Sequence, residues 1–96
     1  MSKEDQFFFA LASYNAGPSR INKYRKCASE LGYDPNRWIG NVERVALRSG
    51  NLETTIYVRN ILNYTLAYTT AYKQALLREN LKKAHKVPGS SGDKKP

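Results

Sequence analysis

Apolar positions recur at helical spacing along this chain, and no stretch alternates with the period of two that a strand requires. Phe7 to Ala12 is an unbroken apolar run. Ser2 and Asp5 can cap it upstream and Gly17-Pro18 can stop it, so the pattern predicts a helix over Lys3 to Ala16. Three consecutive Phe at about 100° per residue cannot all enter one core. At least one of Phe7, Phe8 and Phe9 is therefore expected to face a covering surface such as another lobe or a companion chain. Ser19 can cap a second helix, Arg20 to Leu31, with Ile21, Tyr24, Cys27, Ala28 and Leu31 inward and Gly32 at its end. Its opposite face carries Arg20, Lys23, Arg25 and Lys26.

Asp34-Pro35-Asn36-Arg37-Trp38 has turn chemistry, and Trp38 is open to two readings, a packed anchor or a sugar-stacking platform. Asn41 to Ser49 reads as a short helix with Val42, Val45, Ala46 and Leu47 inward, Glu43 projecting the other way and Gly50 ending it. From Asn51 or Leu52 to about His85 neither Gly nor Pro interrupts the chain. Val58, Ile61, Leu62, Thr65, Tyr68, Tyr72, Ala75 and Leu76 form one apolar stripe there, predicting a single long helix. The remaining segment, 86–96, is Gly, Ser, Pro and Lys and is expected to be a disordered basic tail. The fold class is all-α, with one helical domain over 1–85.

Composition narrows the chemistry. Ninety-six residues support one domain at most, and seven Tyr make its core polar-edged. Sixteen Lys and Arg against eight Asp and Glu give a net charge of +8, which favours anionic partners. A lone Cys27 excludes an intrachain disulfide and reads as a small core residue, and the lone His85 adds no ligand set, so neither metal nor cofactor is expected. No apolar run approaches the roughly 18 residues of a membrane span. Met1-Ser2-Lys3-Glu4-Asp5 is too acidic to open a signal peptide.

Two polar segments carry the functional signal. Tyr14-Asn15-Ala16-Gly17-Pro18 ends the first helix, and Glu53-Thr54-Thr55-Ile56-Tyr57-Val58 opens the long Tyr-rich one. With the Asp34 to Trp38 turn between them, this order resembles the C-terminal half of the soluble lytic transglycosylase catalytic domain, over roughly residues 7 to 73. The resemblance implies a lysozyme-like lobe of short helices packed on one long C-terminal helix, acting on peptidoglycan glycan strands. Such enzymes break the MurNAc to GlcNAc bond with one glutamate, which protonates the leaving oxygen and then assists closure of a 1,6-anhydro ring. That glutamate lies in a Glu-Ser segment upstream of Tyr-Asn-Ala-Gly, followed by Gly-Leu-Met-Gln, and neither segment occurs here. No catalytic residue is therefore identified in this chain, and the acid is expected from an upstream segment or companion chain.

The substrate-binding residues the resemblance implies are Tyr14, Asn15, Glu53 and Tyr57. Glu53 sits in the first turn of its helix, where the dipole favours the ionised form and suits a binding carboxylate rather than an acid. The basic face at Arg20, Lys23 and Lys26 is expected to stand apart from this site. The expected place of action is the cell envelope or periplasm, or a phage virion. Alternative functions are a non-catalytic glycan-binding or phage structural module and, less favoured, a small nucleic-acid-binding protein. Against the last, the Tyr residues lie on the inward stripe rather than among the basic side chains.

Overall fold

The computed structural model describes residues 1–85, and the basic tail expected over 86–96 lies outside them. The described residues form four α-helices and no strand: α1 (Lys3–Ala16), α2 (Pro18–Glu30), α3 (Glu43–Arg48) and α4 (Leu52–His85). Two compact units divide the chain, Met1–Leu62 and Asn63–Pro96.

In the first unit, α1 begins where its capping chemistry lies. The Asp5 amide donates to Ser2 Oγ at 3.0 Å, and the Ser2 hydroxyl returns a bond to Asp5 Oδ2 at 2.6 Å. The other Asp5 oxygen accepts the Trp38 backbone N–H at 2.9 Å, tying the first turn of α1 to a turn 33 residues away. Burial opposes ionisation of Asp5, but the Ser2 hydroxyl, the Trp38 amide and the Arg37 charge outweigh it and hold its carboxyl below the ordinary value.

Gly17 closes α1 and opens α2 at once. At φ 92° and ψ 141° its N–H donates to Ser13 and its carbonyl accepts from Ile21, a conformation that a Cβ would strain. Pro18 takes the first helical position, where its missing N–H costs nothing, so α2 starts before the Ser19 cap that the sequence predicts. At the far end Leu31 lies outside the helix and is exposed, against its expected inward position.

Trp38 is fully buried and receives Phe9 edge-on, ring centroids 5.8 Å apart at 86°. It is the anchor of the core and offers no face to a sugar, which settles the choice between its two readings. Around it lie Phe8, Ala12, Ile21, Ala28, Val42, Val45, Ala46 and Val58. Two of the three consecutive Phe therefore share one core, and only Phe7, 46% exposed, stays outside. Phe8 and Phe9 can both enter because α2 and the Trp38 turn cover adjoining sides of α1.

Gly40, in the left-handed region at φ 72°, turns the chain between Trp38 and α3, so the short helix starts at Glu43 rather than Asn41. Leu47 is exposed on it, contrary to the inward place predicted. Glu43 is corrected as well: its carboxylate is buried rather than projecting away. Arg59 clasps it with Nε to Oε2 at 2.7 Å and a second nitrogen to Oε1 at 2.8 Å, and the Gly40 N–H adds a bond to Oε1 at 3.1 Å. The same hydrogen bond keeps the Arg59 guanidinium above its ordinary pKa, against some desolvation.

Helix α4 enters the core through its first three turns, where Thr54, Thr55 and Val58 are buried and Ile61 and Leu62 half-buried. In the second unit, every described side chain from Asn63 to Lys83 is exposed. Tyr68 at 68%, Tyr72 at 59% and Leu76 at 47% exposure lie on the predicted stripe but not in a core.

Candidate functional site

The two polar segments singled out in the sequence meet. The Thr54 hydroxyl, itself buried, donates to Asn15 Oδ1 at 2.6 Å, joining the last turn of α1 to the first turn of α4 across 39 residues of sequence. Asn51 extends the junction: its Oδ1 accepts the Thr54 N–H at 3.2 Å as a helix cap, and its Nδ2 donates to the Tyr24 hydroxyl at 3.3 Å. A polar lattice thus fixes how the start of α4 faces the α1–α2 corner. Low accessibility strengthens such bonds and makes each partner costly to remove.

Beside this junction lies an open groove of about 870 Å³. Its α1–α2 side includes Ala16, Gly17, Arg20 and Lys23, and its α4 side Asn51 and Glu53. Glu53 is exposed there. Tyr14 stands at the helix end with 85% of its surface free but does not line this groove. Asn15 is half-buried with its oxygen held by Thr54, so its first task is to position. Tyr57 is half-buried and packs against the core, again more a support than a free ligand group.

The predicted basic face does not stand apart as one patch. Arg25 is drawn into structure: its Nε donates to the Pro35 carbonyl at 2.9 Å, a terminal nitrogen to Asn36 Oδ1 at 2.7 Å, and its guanidinium lies 5.0 Å from the Phe9 ring centre. Arg20 and Lys23 instead line the groove with Glu53, which corrects the expected separation of basic face and site. Lys26 is exposed and is not part of the groove lining.

Sequence reasoning missed three elements of this region. Thr54 carried a weak signal, a hydroxyl four residues before the inward Val58 and hence on the core side of the helix. Asn51 was legible as a boundary but not as the link to Tyr24. The Glu43–Arg59 pair joins two helices 16 positions apart, beyond any local periodicity. Among the described residues, no group of three or more potential ligands is placed to hold a metal. Of the carboxylates near this region, Glu43 accepts hydrogen bonds at both oxygens, Asp5 accepts from the Ser2 hydroxyl and the amide of Trp38, and Glu53 is exposed.

The chain is 36% identical over 73 residues to the membrane-bound lytic murein transglycosylase F of Marinobacter nauticus, covering 62% of this chain and 14% of that protein. It is 41% identical over 39 residues to the protein of the same name from Stutzerimonas stutzeri, covering 41% of this chain and 8% of that one. Part of the chain is thus similar to lytic murein transglycosylases, and it spans only a small fraction of their length. No family model matches the chain, and no solved structure does. No described helix is long and apolar enough to cross a membrane.

Proposed function

We propose that this chain is the C-terminal lobe of a peptidoglycan lytic transglycosylase, acting in the cell envelope on MurNAc-GlcNAc strands. Its proton donor would come from a further segment or companion chain. The observation that carries this reading is the 2.6 Å bond between Asn15 and Thr54. Tyr14 and Glu53 are the sequence neighbours of the bonded pair on the two helix ends that this bond joins, which supports their contributing to one cleft wall. Similarity to the murein transglycosylases of two bacteria supports the substrate class. Tyr14 and Glu53 bind and orient the strand, while Asn15 and Tyr57 hold the wall in shape. A positioned general acid is worth roughly 10²- to 10⁴-fold in rate, which is what the further segment or companion chain would supply.

A glycan-strand fragment is expected to shift NMR signals around residues 13–17 and 52–58, and absence of shifts at both would overturn the reading. The purified chain alone is expected to release no 1,6-anhydro muropeptides. Their appearance, with loss in Glu53→Gln, would make Glu53 the acid. The alternative reading is a glycan-binding or phage structural module on the same lobe. Restored 1,6-anhydro product on adding a donor-bearing lobe separates the first reading from it.

A further inference from the structure

Arg20 and Lys23 lie three positions apart on α2, exposed on the groove, and neither forms an ion pair with a carboxylate among the described residues. Like charges at this spacing on a helix repel. Four arginines of the first unit have structural partners: Arg25 holds the Pro35 turn, Arg59 clasps Glu43, and the Arg44 and Arg48 guanidinia lie 5.8 and 6.0 Å from the Tyr33 ring centre. The groove pair has none, and it faces a space large enough for several residues of a ligand.

Resting on the function proposed above, we propose that this groove receives the peptide stem of peptidoglycan, with Arg20 and Lys23 taking its carboxylates. A glycan chain of hydroxyls, acetamides and ether oxygens is neutral, and two unpaired cations add nothing specific to its recognition. The negative charge of the polymer resides in the peptides carried on the lactyl groups, so a cationic groove beside a glycan wall matches the stem and not the sugar. Glu53 on the opposite side disfavours a polyphosphate, whose charges would crowd it.

The test titrates the full chain with two probes at low salt: the disaccharide GlcNAc-MurNAc carrying a tetrapeptide, and chitotetraose, which has no carboxylate. The double variant Arg20→Gln, Lys23→Gln is expected to bind the stem-bearing probe about three- to tenfold more weakly, from two exposed charge contacts. Its chitotetraose binding should be unchanged, and raised salt should erase the difference for the first probe. Lys26→Gln removes the same charge from the same helix outside the groove and is expected to change neither. Both substituted groove side chains are exposed, so unaltered helical circular dichroism confirms folding. An equal loss in Lys26→Gln would assign the effect to the overall +8 field and overturn the proposal. So would no loss in the double variant, and if chitotetraose still shifts residues 13–17 and 52–58 the glycan reading survives that failure. If neither probe binds, the glycan reading falls first and the stem proposal with it.

Discussion

The two ends of α4 carry much the same apolar stripe and meet different fates. Up to Leu62 its inward positions enter a core made by Trp38, Phe9, Ile21 and Val42, and Val58 is 1% exposed. From Asn63 to Lys83 the stripe continues with Tyr68, Tyr72 and Leu76, each at least 47% exposed. Periodicity therefore measures a helix's capacity to bury one face, while burial needs a second element to supply the other surface. In the first unit α1, α2 and the Trp38 turn supply it.

The largest expected effect breaks this contrast at its anchor. Trp38→Ala removes the largest fully buried side chain and should cost about 3–5 kcal/mol, comparable to the whole stability of a domain this small. Loss of a cooperative urea transition is the expected result. Tyr72→Ala or Leu76→Ala, on the exposed continuation of the stripe, should stay within about 0.5 kcal/mol. A loss above about 2 kcal/mol at either would mean that the second half of α4 is covered in solution, by a second copy or another chain. Sedimentation of the two variants against the parent chain decides that.

A smaller effect is expected at the Glu43–Arg59 pair. Arg59→Ala would leave a buried carboxylate with only the Gly40 amide, and because Arg59 is itself half-exposed, water offsets part of the penalty. About 1–3 kcal/mol is the expected loss in urea unfolding. Glu43→Gln, which keeps shape and removes the charge to be buried, should cost less than Arg59→Ala. The reverse order would show that the pair contributes mainly through attraction rather than by relieving a stranded charge.

These residues also show what the sequence could and could not disclose. Helix α1 was legible to both ends because capping, apolar run and stop are all local chemistry within Ser2 to Pro18. The start of α2 was misplaced because two codes compete there, Ser19 as a cap and Pro18 as a first helical residue, and Gly17 decides between them by adopting a conformation suited to both neighbouring helices. Phe8 and Phe9 share a core since two elements cover α1, which no single-helix projection contains. Glu43 was assigned to solvent because its partner is 16 positions away on another helix. For the candidate site, the family resemblance points to Tyr14, Asn15 and Glu53, but the junction that joins their helix ends depends on Thr54 and Asn51. The split of the basic face depends on where the Pro35 turn comes to rest.

Asp5 gives a modest, pH-dependent probe of the first unit. Its carboxyl is held below the ordinary value in the folded chain, so at higher pH the folded state binds the ionised form preferentially and gains stability. That gain is fully present above the unfolded value near 3.8 and is lost as pH falls through the depressed folded value. Thermal midpoints measured downward from pH 5 should therefore decline in the parent chain, and Asp5→Asn should flatten that decline. An unchanged slope would mean that Asp5 does not tie α1 to the Trp38 turn in solution.

The smallest effect on stability, and the most informative for function, is expected at Tyr14 and Glu53. Both are exposed, so Tyr14→Phe and Glu53→Gln should each leave the urea midpoint nearly unchanged. Binding of a glycan-strand fragment is where they should matter, because the Asn15–Thr54 bond holds their backbones in a fixed relation. Two residues that touch one ligand from a rigid frame are expected to be non-additive by about 0.5 kcal/mol or more in a double-mutant cycle. The frame can be loosened separately: Thr54→Val keeps the shape of the buried side chain, removes the hydroxyl and strands the Asn15 oxygen. If the two contacts depend on that frame, their coupling should shrink in the Thr54→Val background while each single substitution still weakens binding. Coupling that persists unchanged without the hydroxyl would show that the ligand, and not the junction between α1 and α4, brings Tyr14 and Glu53 into one site.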